Sequence, residues 1–166
     1  MKKTIVTLAV CLFTTFSLSA QNDHGKKMDE NMAMFTDAKL GTAYEHYLHI
    51  KDALVASKIE DAKKGAGQLE QALKAVGGSA KAQEVSAKLV NAATLDEQRK
   101  LFSILSNEMA TLVKGGKLSM GMLYLEYCPM ANNNAGAYWL SNDKEIKNPY
   151  FGDKMLKCGS VKELIQ

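Results

Sequence analysis

Two short cysteine–methionine segments hold the residue types in this chain that are best suited to chemistry. Cys128-Pro129-Met130 is answered downstream by Met155-Leu156-Lys157-Cys158-Gly159. Thiolate and thioether are soft donors, and they select Cu(I) or a related soft ion over hard cations and zinc. Pro129 stiffens the first segment, and Gly159 lets the backbone fold away from the second cysteine. If the segments converge, Cys128, Met130, Met155 and Cys158 line one metal pocket. The same residues also admit a Cys128–Cys158 disulfide, closing a loop of about thirty residues and contributing about 3 to 4 kcal/mol in the chain-entropy model. Met130 and Met155 would then be core fillers. The spacing is not Cys-x-x-Cys, so nothing points to a redox-active dithiol.

Other residues offer weaker chemistry. His24, Met28, Met32 and Met34 form a methionine-containing leader that is a second candidate donor set for Cu(I). His46 and His49 are three apart on a helical stretch. Projection at about 100° per residue sets His49 opposite the apolar face and His46 beside it, which favours solvated side chains. Trp139 and Tyr150 read as the core of a small lobe, with a cation-facing role as the alternative. Asp143, Glu145 and Asp153 read as a charged loop cover, because no nucleophile accompanies them. The chain lacks a phosphate loop, a Gly-x-Ser-x-Gly element and a His-Glu-x-x-His element, so the reading is not an enzyme.

The start of the chain reads as an address. Lys2 and Lys3 precede an apolar run from Ile5 to about Phe16, followed by Ser17, Leu18, Ser19 and Ala20. This is the layout of a secretory signal over residues 1–20, too short to span a bilayer comfortably. Its removal would take away Lys2, Lys3 and Cys11, leaving 19 basic against 18 acidic residues and a pair of cysteines, Cys128 and Cys158. The expected location is the periplasm, where a cysteine pair either oxidises or holds a metal. No transmembrane anchor remains after cleavage. Near-neutral charge and a single arginine, Arg99, argue against nucleic acid as a partner.

These residues need elements to position them. Residues 21–37 read as a polar, methionine-containing tether, and 38–166 as one domain with a helical part (38–116) and a cysteine, methionine and aromatic lobe (117–166). Leu40, Tyr44, Tyr47, Leu48, Lys51, Leu54 and Val55 recur at helical spacing. Ser57-Lys-Ile-Glu60 and Thr94-Leu-Asp-Glu97 read as capping boxes opening the second and fourth helices, and Ser79 as the cap of the third. Gly77 with Gly78 and Gly115 with Gly116 read as helix stops. Met120 to Tyr127, Ala137 to Ser141 and Val161 to Ile165 have strand composition, with turns at Asn132–Gly136 and Asn148–Gly152. The expected fold is mainly α: a four-helix, up-down bundle-like scaffold with a small C-terminal α+β, loop-rich lobe.

The tract Tyr127-Cys-Pro-Met130, with Trp139-Leu-Ser141, Asn148-Pro-Tyr-Phe-Gly152 and Met155-Leu-Lys-Cys-Gly159, resembles an uncharacterised family of exported bacterial domains. Its members occur alone or fused to periplasmic adaptor (membrane fusion) subunits of heavy-metal cation efflux pumps. Tyr44-Glu-His-Tyr47, Lys51-Asp-Ala-Leu54 and the Arg99–Phe102–Ser106 stretch share its style, so the likeness covers nearly all of residues 21–166. The resemblance implies heavy-metal handling in the periplasm, with copper as the leading ion and an efflux adaptor as a partner. Cys128-Pro-Met130 is also similar to short heavy-metal-binding modules in which Cys-Pro-Met precedes His-Pro and, later, Cys-Gly-Met. Here Ala131 and Asn132 follow Met130, and the second methionine precedes its cysteine, so a histidine ligand is missing from that point.

Overall fold

A computed structural model describes residues 33–166. The chain runs through β1 (Met34–Phe35), α1 (Ala38–Val55), α2 (Ile59–Leu73), α3 (Ala80–Asn91), α4 (Leu95–Gly115), β2 (Leu118–Met120), β3 (Leu123–Cys128), β4 (Ala137–Ser141) and β5 (Ser160–Ile165). The protein is mainly α. Each long helix packs on the next, and α4 also packs against α1 and β4. None of the described helices is long and apolar enough to cross a membrane.

Apolar periodicity explains the helices, and side-chain hydrogen bonds decide where they start. Thr94 caps α4, accepting from the Glu97 amide at 3.2 Å, while the Glu97 carboxylate accepts from the Ala93 amide at 2.9 Å. The expected box at Ser57–Glu60 does not form. Ser57 adopts φ +56°, and its hydroxyl accepts from Arg99 instead. Ser79 also departs from its expected capping role: its hydroxyl lies 2.7 Å from both the Leu73 and Val76 carbonyls and supports the end of α2. Helix α2 therefore stops at Leu73, short of the two glycines, and the chain turns through Gly78 at φ +73°.

Two small sheets complete the fold. β1 and β2 form an antiparallel ribbon, with Met34 opposite Met120 and Phe35 opposite Leu118. The expected strand from Met120 to Tyr127 is broken at Gly121, whose φ of +78° separates β2 from β3. β3 is the centre of an antiparallel sheet ordered β4-β3-β5. The expected tether is ordered at its end, since Phe35 is buried and meets the Tyr44 ring at 5.5 Å.

One hydrophobic core joins the helices to the lobe. Its spine is a run of aromatic contacts from Phe35 through Tyr44, Tyr47, Phe102 and Tyr150 to Trp139, with neighbouring ring centroids 5.2 to 6.0 Å apart. Tyr47 ties the two parts by hydrogen bonds as well. Its hydroxyl lies 2.8 Å from Ser106 Oγ and accepts from the Leu140 amide at 2.9 Å. β4 is an edge strand, so that amide would otherwise lack a ladder partner. The one arginine is a clamp: Arg99 Nε donates to the Pro149 carbonyl at 2.9 Å, and Nη2 to the Leu54 carbonyl at 3.3 Å and Ser57 Oγ at 3.2 Å. It places a cation on the end of α1, whose last turn carries none of its own.

Candidate functional site

The two cysteines meet because the antiparallel ladder brings them together. β3 ends at Cys128, and the pairing of Tyr127 with Ser160 sets the approach to β5 beside it. Cys128 Sγ and Cys158 Sγ are 3.2 Å apart, and both are free thiols. Cys128 is fully buried, whereas Cys158 is half-buried, so the pair has an inner and an outer member. The hydrogen bond with the Cys128 thiol, followed by desolvation and the charge of Cys128, holds the Cys158 thiol above its ordinary pKa. Both sulfurs must give up protons before binding a metal as thiolates.

The arm that carries Cys158 is pinned by Asn148, a buried side chain whose sequence signal was only that of a turn. Asn148 Nδ2 donates to the Cys158 carbonyl at 2.7 Å, and Oδ1 accepts from the Tyr150 amide at 2.8 Å. Its own amide donates to the Leu156 carbonyl at 2.8 Å. Four backbone polar groups of the loop are thereby satisfied through one residue, two of them by its side chain, which gives the turn a defined shape. Gly159 is required by space and by backbone: its φ is +145°, and a Cβ there would lie 2.8 Å from the Trp139 ring. On the other arm, Asn132, Asn133 and Asn134 all take positive φ, a conformation asparagine tolerates better than most residues.

Two of the four expected donors adjoin, and the other two flank them. Met130 stands on the turn after Cys128 and is 45% exposed, which overturns the core-filler reading for that residue. Met155 is half-buried, and its carbonyl accepts from the Cys158 amide at 3.0 Å, closing the turn that presents the second thiol. Among the described residues, no three side chains of the histidine, cysteine, aspartate and glutamate set converge as a metal cluster. The donors brought into contact are therefore two thiols, with Met130 and Met155 on the turns that adjoin them in the chain, which suits an ion that accepts few, soft ligands.

The remaining candidates stand apart from this pair. His24, Met28 and Met32 lie outside the described residues, and Met34 is exposed on β1. His49 is exposed and His46 half-buried on α1. Trp139 is fully buried and meets Tyr150 edge-on at 5.8 Å, so it fills the lobe core. Asp143 pairs with Lys147 at 3.1 Å and Glu145 with Lys157 at 2.9 Å, as befits a charged loop cover.

One buried acid had no signal in the sequence beyond its place in a strand. Glu126, two residues before Cys128 and directly across the ladder from Trp139, is fully buried. Desolvation pushes its carboxyl up to about 8, against the attraction of Lys51 and a polar influence of Trp139. No hydrogen bond of ordinary geometry reaches either carboxylate oxygen or the Trp139 indole N–H among the described residues. Lys51 is itself buried, with its ammonium 3.0 Å from Asp52.

The chain matches no curated protein and no solved structure. Residues 43–121, which run from within α1 to the break after β2 and stop short of Cys128, match the model of a family described as a protein of unknown function (DUF3347), consistent with an uncharacterised domain family.

Proposed function

We propose that this protein is a periplasmic binder of a soft metal ion, with Cu(I) as the leading candidate, that takes part in heavy-metal homeostasis or efflux. The observation that carries this reading is the juxtaposition of two free thiols at 3.2 Å, one buried and one reaching the surface. Met130 and Met155 on the adjoining turns add thioethers for capture and release. Transfer would proceed by ligand exchange from sulfur to sulfur, with the outer Cys158 and exposed Met130 meeting the ion first. An efflux adaptor is the proposed partner, and the helices are taken as an up-and-down bundle that holds the lobe rigid. The raised Cys158 thiol counts against thiol–disulfide catalysis, which is served by a depressed pKa.

The test is a Cu(I) competition titration of the reduced protein against a chromophoric chelator. One equivalent should be withdrawn with an affinity that falls at least 100-fold, roughly, in Cys128→Ser or Cys158→Ser, as soft-donor loss requires. Unchanged uptake in both variants would overturn the reading.

The same 3.2 Å approach favours a second reading, a Cys128–Cys158 disulfide that staples an envelope interaction module. It predicts no alkylatable thiol in protein taken directly from the cell envelope and two after reduction. Two reactive thiols before reduction would overturn it.

A further inference from the structure

We propose that Met34, Met120 and Met122 form a second soft-metal site, built from thioethers alone, on the β1–β2 ribbon. Met34 and Met120 are register partners across the antiparallel ladder. Side chains of directly opposed residues leave the same face, with Cβ atoms about 4.5 to 5.5 Å apart. Gly121, at φ +78°, turns the chain immediately after Met120 and sets Met122 at the start of the return toward β3. The Met122 sulfur is held from one side by the Tyr124 hydroxyl, which donates to it at 3.2 Å.

Exposure separates these residues from ordinary core methionines. Met34, Met120 and Met122 are 43%, 64% and 37% exposed, whereas Met109 is fully buried between the helices. Methionine is spent on cores because it fills gaps, a role that surface placement does not serve. The ribbon around them is well tied. Thr36 donates to the Lys117 carbonyl at 2.8 Å, and Ser119 Oγ donates to the Met34 carbonyl at 3.2 Å. Phe35, the neighbour of Met34, turns inward onto Tyr44, so the bulge between Met34 and Phe35 leaves Met34 on the outer face.

Three neutral thioethers bring no negative charge to offset a divalent ion, and they bind soft, low-coordinate monovalent ions by preference. The ligand class is therefore Cu(I) or Ag(I). The site shares no residue with the cysteine pair and stands whether or not that pair takes metal. Thioethers also carry no proton in this pH range, so binding here is independent of pH where thiolate binding is not.

The experiment is titration of the reduced chain without its first twenty residues, and so without Cys11, with Ag(I) alone, read by native mass spectrometry and calorimetry. In the Cys128→Ser/Cys158→Ser double variant one Ag(I) should remain bound. Adding Met34→Leu, Met120→Leu and Met122→Leu should weaken that binding at least tenfold. In the cysteine-intact chain the same three leucines should lower the Ag(I) stoichiometry by one. The second arm keeps the test decisive if the double variant fails to fold. Stoichiometry unchanged by the leucines in the cysteine-intact chain, or weakening of less than tenfold in the double variant, would overturn the proposal.

Discussion

Replacing Glu126 by glutamine removes the ionisable group of the most desolvated acid in the described structure and should change how stability depends on pH. The carboxyl is held at about 8 in the folded protein against 4.5 in the unfolded chain, chiefly because burial disfavours its anion. Below pH 4.5 both states hold the proton, and the group's contribution is complete. Between 4.5 and 8 the unfolded chain ionises first, so stability falls as pH rises. Above 8 both states are ionised and the loss has run its course. At about 1.36 kcal/mol per unit, the gap sets an upper bound of roughly 4 to 5 kcal/mol. Allowing for local relaxation and water reaching the carboxylate, about 2 to 4 kcal/mol should be lost between pH 5 and pH 9. Glutamine cannot ionise, so Glu126→Gln should gain that much on the wild type across the interval. Urea unfolding followed by fluorescence of Trp139, the only tryptophan and the cross-strand partner of Glu126, measures both proteins directly. A difference that stays flat within about 0.5 kcal/mol from pH 5 to 9 would refute the placement of a neutral acid at this position.

Two other substitutions probe how the lobe is held. Arg99→Ala strips partners from the Pro149 and Leu54 carbonyls and should cost about 2 to 4 kcal/mol, with Arg99→Lys recovering part of it; urea midpoints at constant slope are the readout. Asn148→Ala frees the Cys158 carbonyl and the Tyr150 amide together and should cost about 2 to 3 kcal/mol, while lowering Cu(I) affinity about tenfold by loosening the outer thiol. A stability loss with unchanged affinity would show that the Cys158 arm does not depend on this anchor.

The helices were legible because their information is local. Leu40, Tyr44, Tyr47 and Leu54 are buried as their spacing requires, and the Thr94–Glu97 cap uses only neighbouring atoms. Ser57 and Ser79 carry the same local signal and form no such cap, because Arg99 and the end of α2 compete for their hydroxyls. Arg99 lies 42 positions from Ser57, which periodicity cannot weigh, whereas the carbonyls that take the Ser79 hydroxyl are only three and six positions away and compete locally. The strand containing Met120 reads as continuous until the positive φ of Gly121 is known. At the site, residue types named both cysteines, and only the β3–β5 register showed that they touch. Asn148 passed as a turn residue, since its side-chain bonds span up to ten positions and follow from the loop's closed shape. Glu126 is one acid among eighteen in sequence, and burial alone sets it apart. The contact of Met34 with the Met120 segment was likewise hidden, because 86 positions of chain separate the paired residues.

The central claim is that Cys128 and Cys158 act together on one soft metal ion. Thiol alkylation followed by mass spectrometry, run on the folded, reduced protein with and without one equivalent of Cu(I), reads the outer Cys158, and Cys128→Ser reads the part played by its buried partner. In a background carrying Met34→Leu, Met120→Leu and Met122→Leu, Cys158 should be alkylated without copper, protected with it, and reactive again when a strong Cu(I) chelator is added, and Cys128→Ser should abolish the protection. Equal alkylation of Cys158 with and without copper, or full protection in Cys128→Ser, would contradict the account.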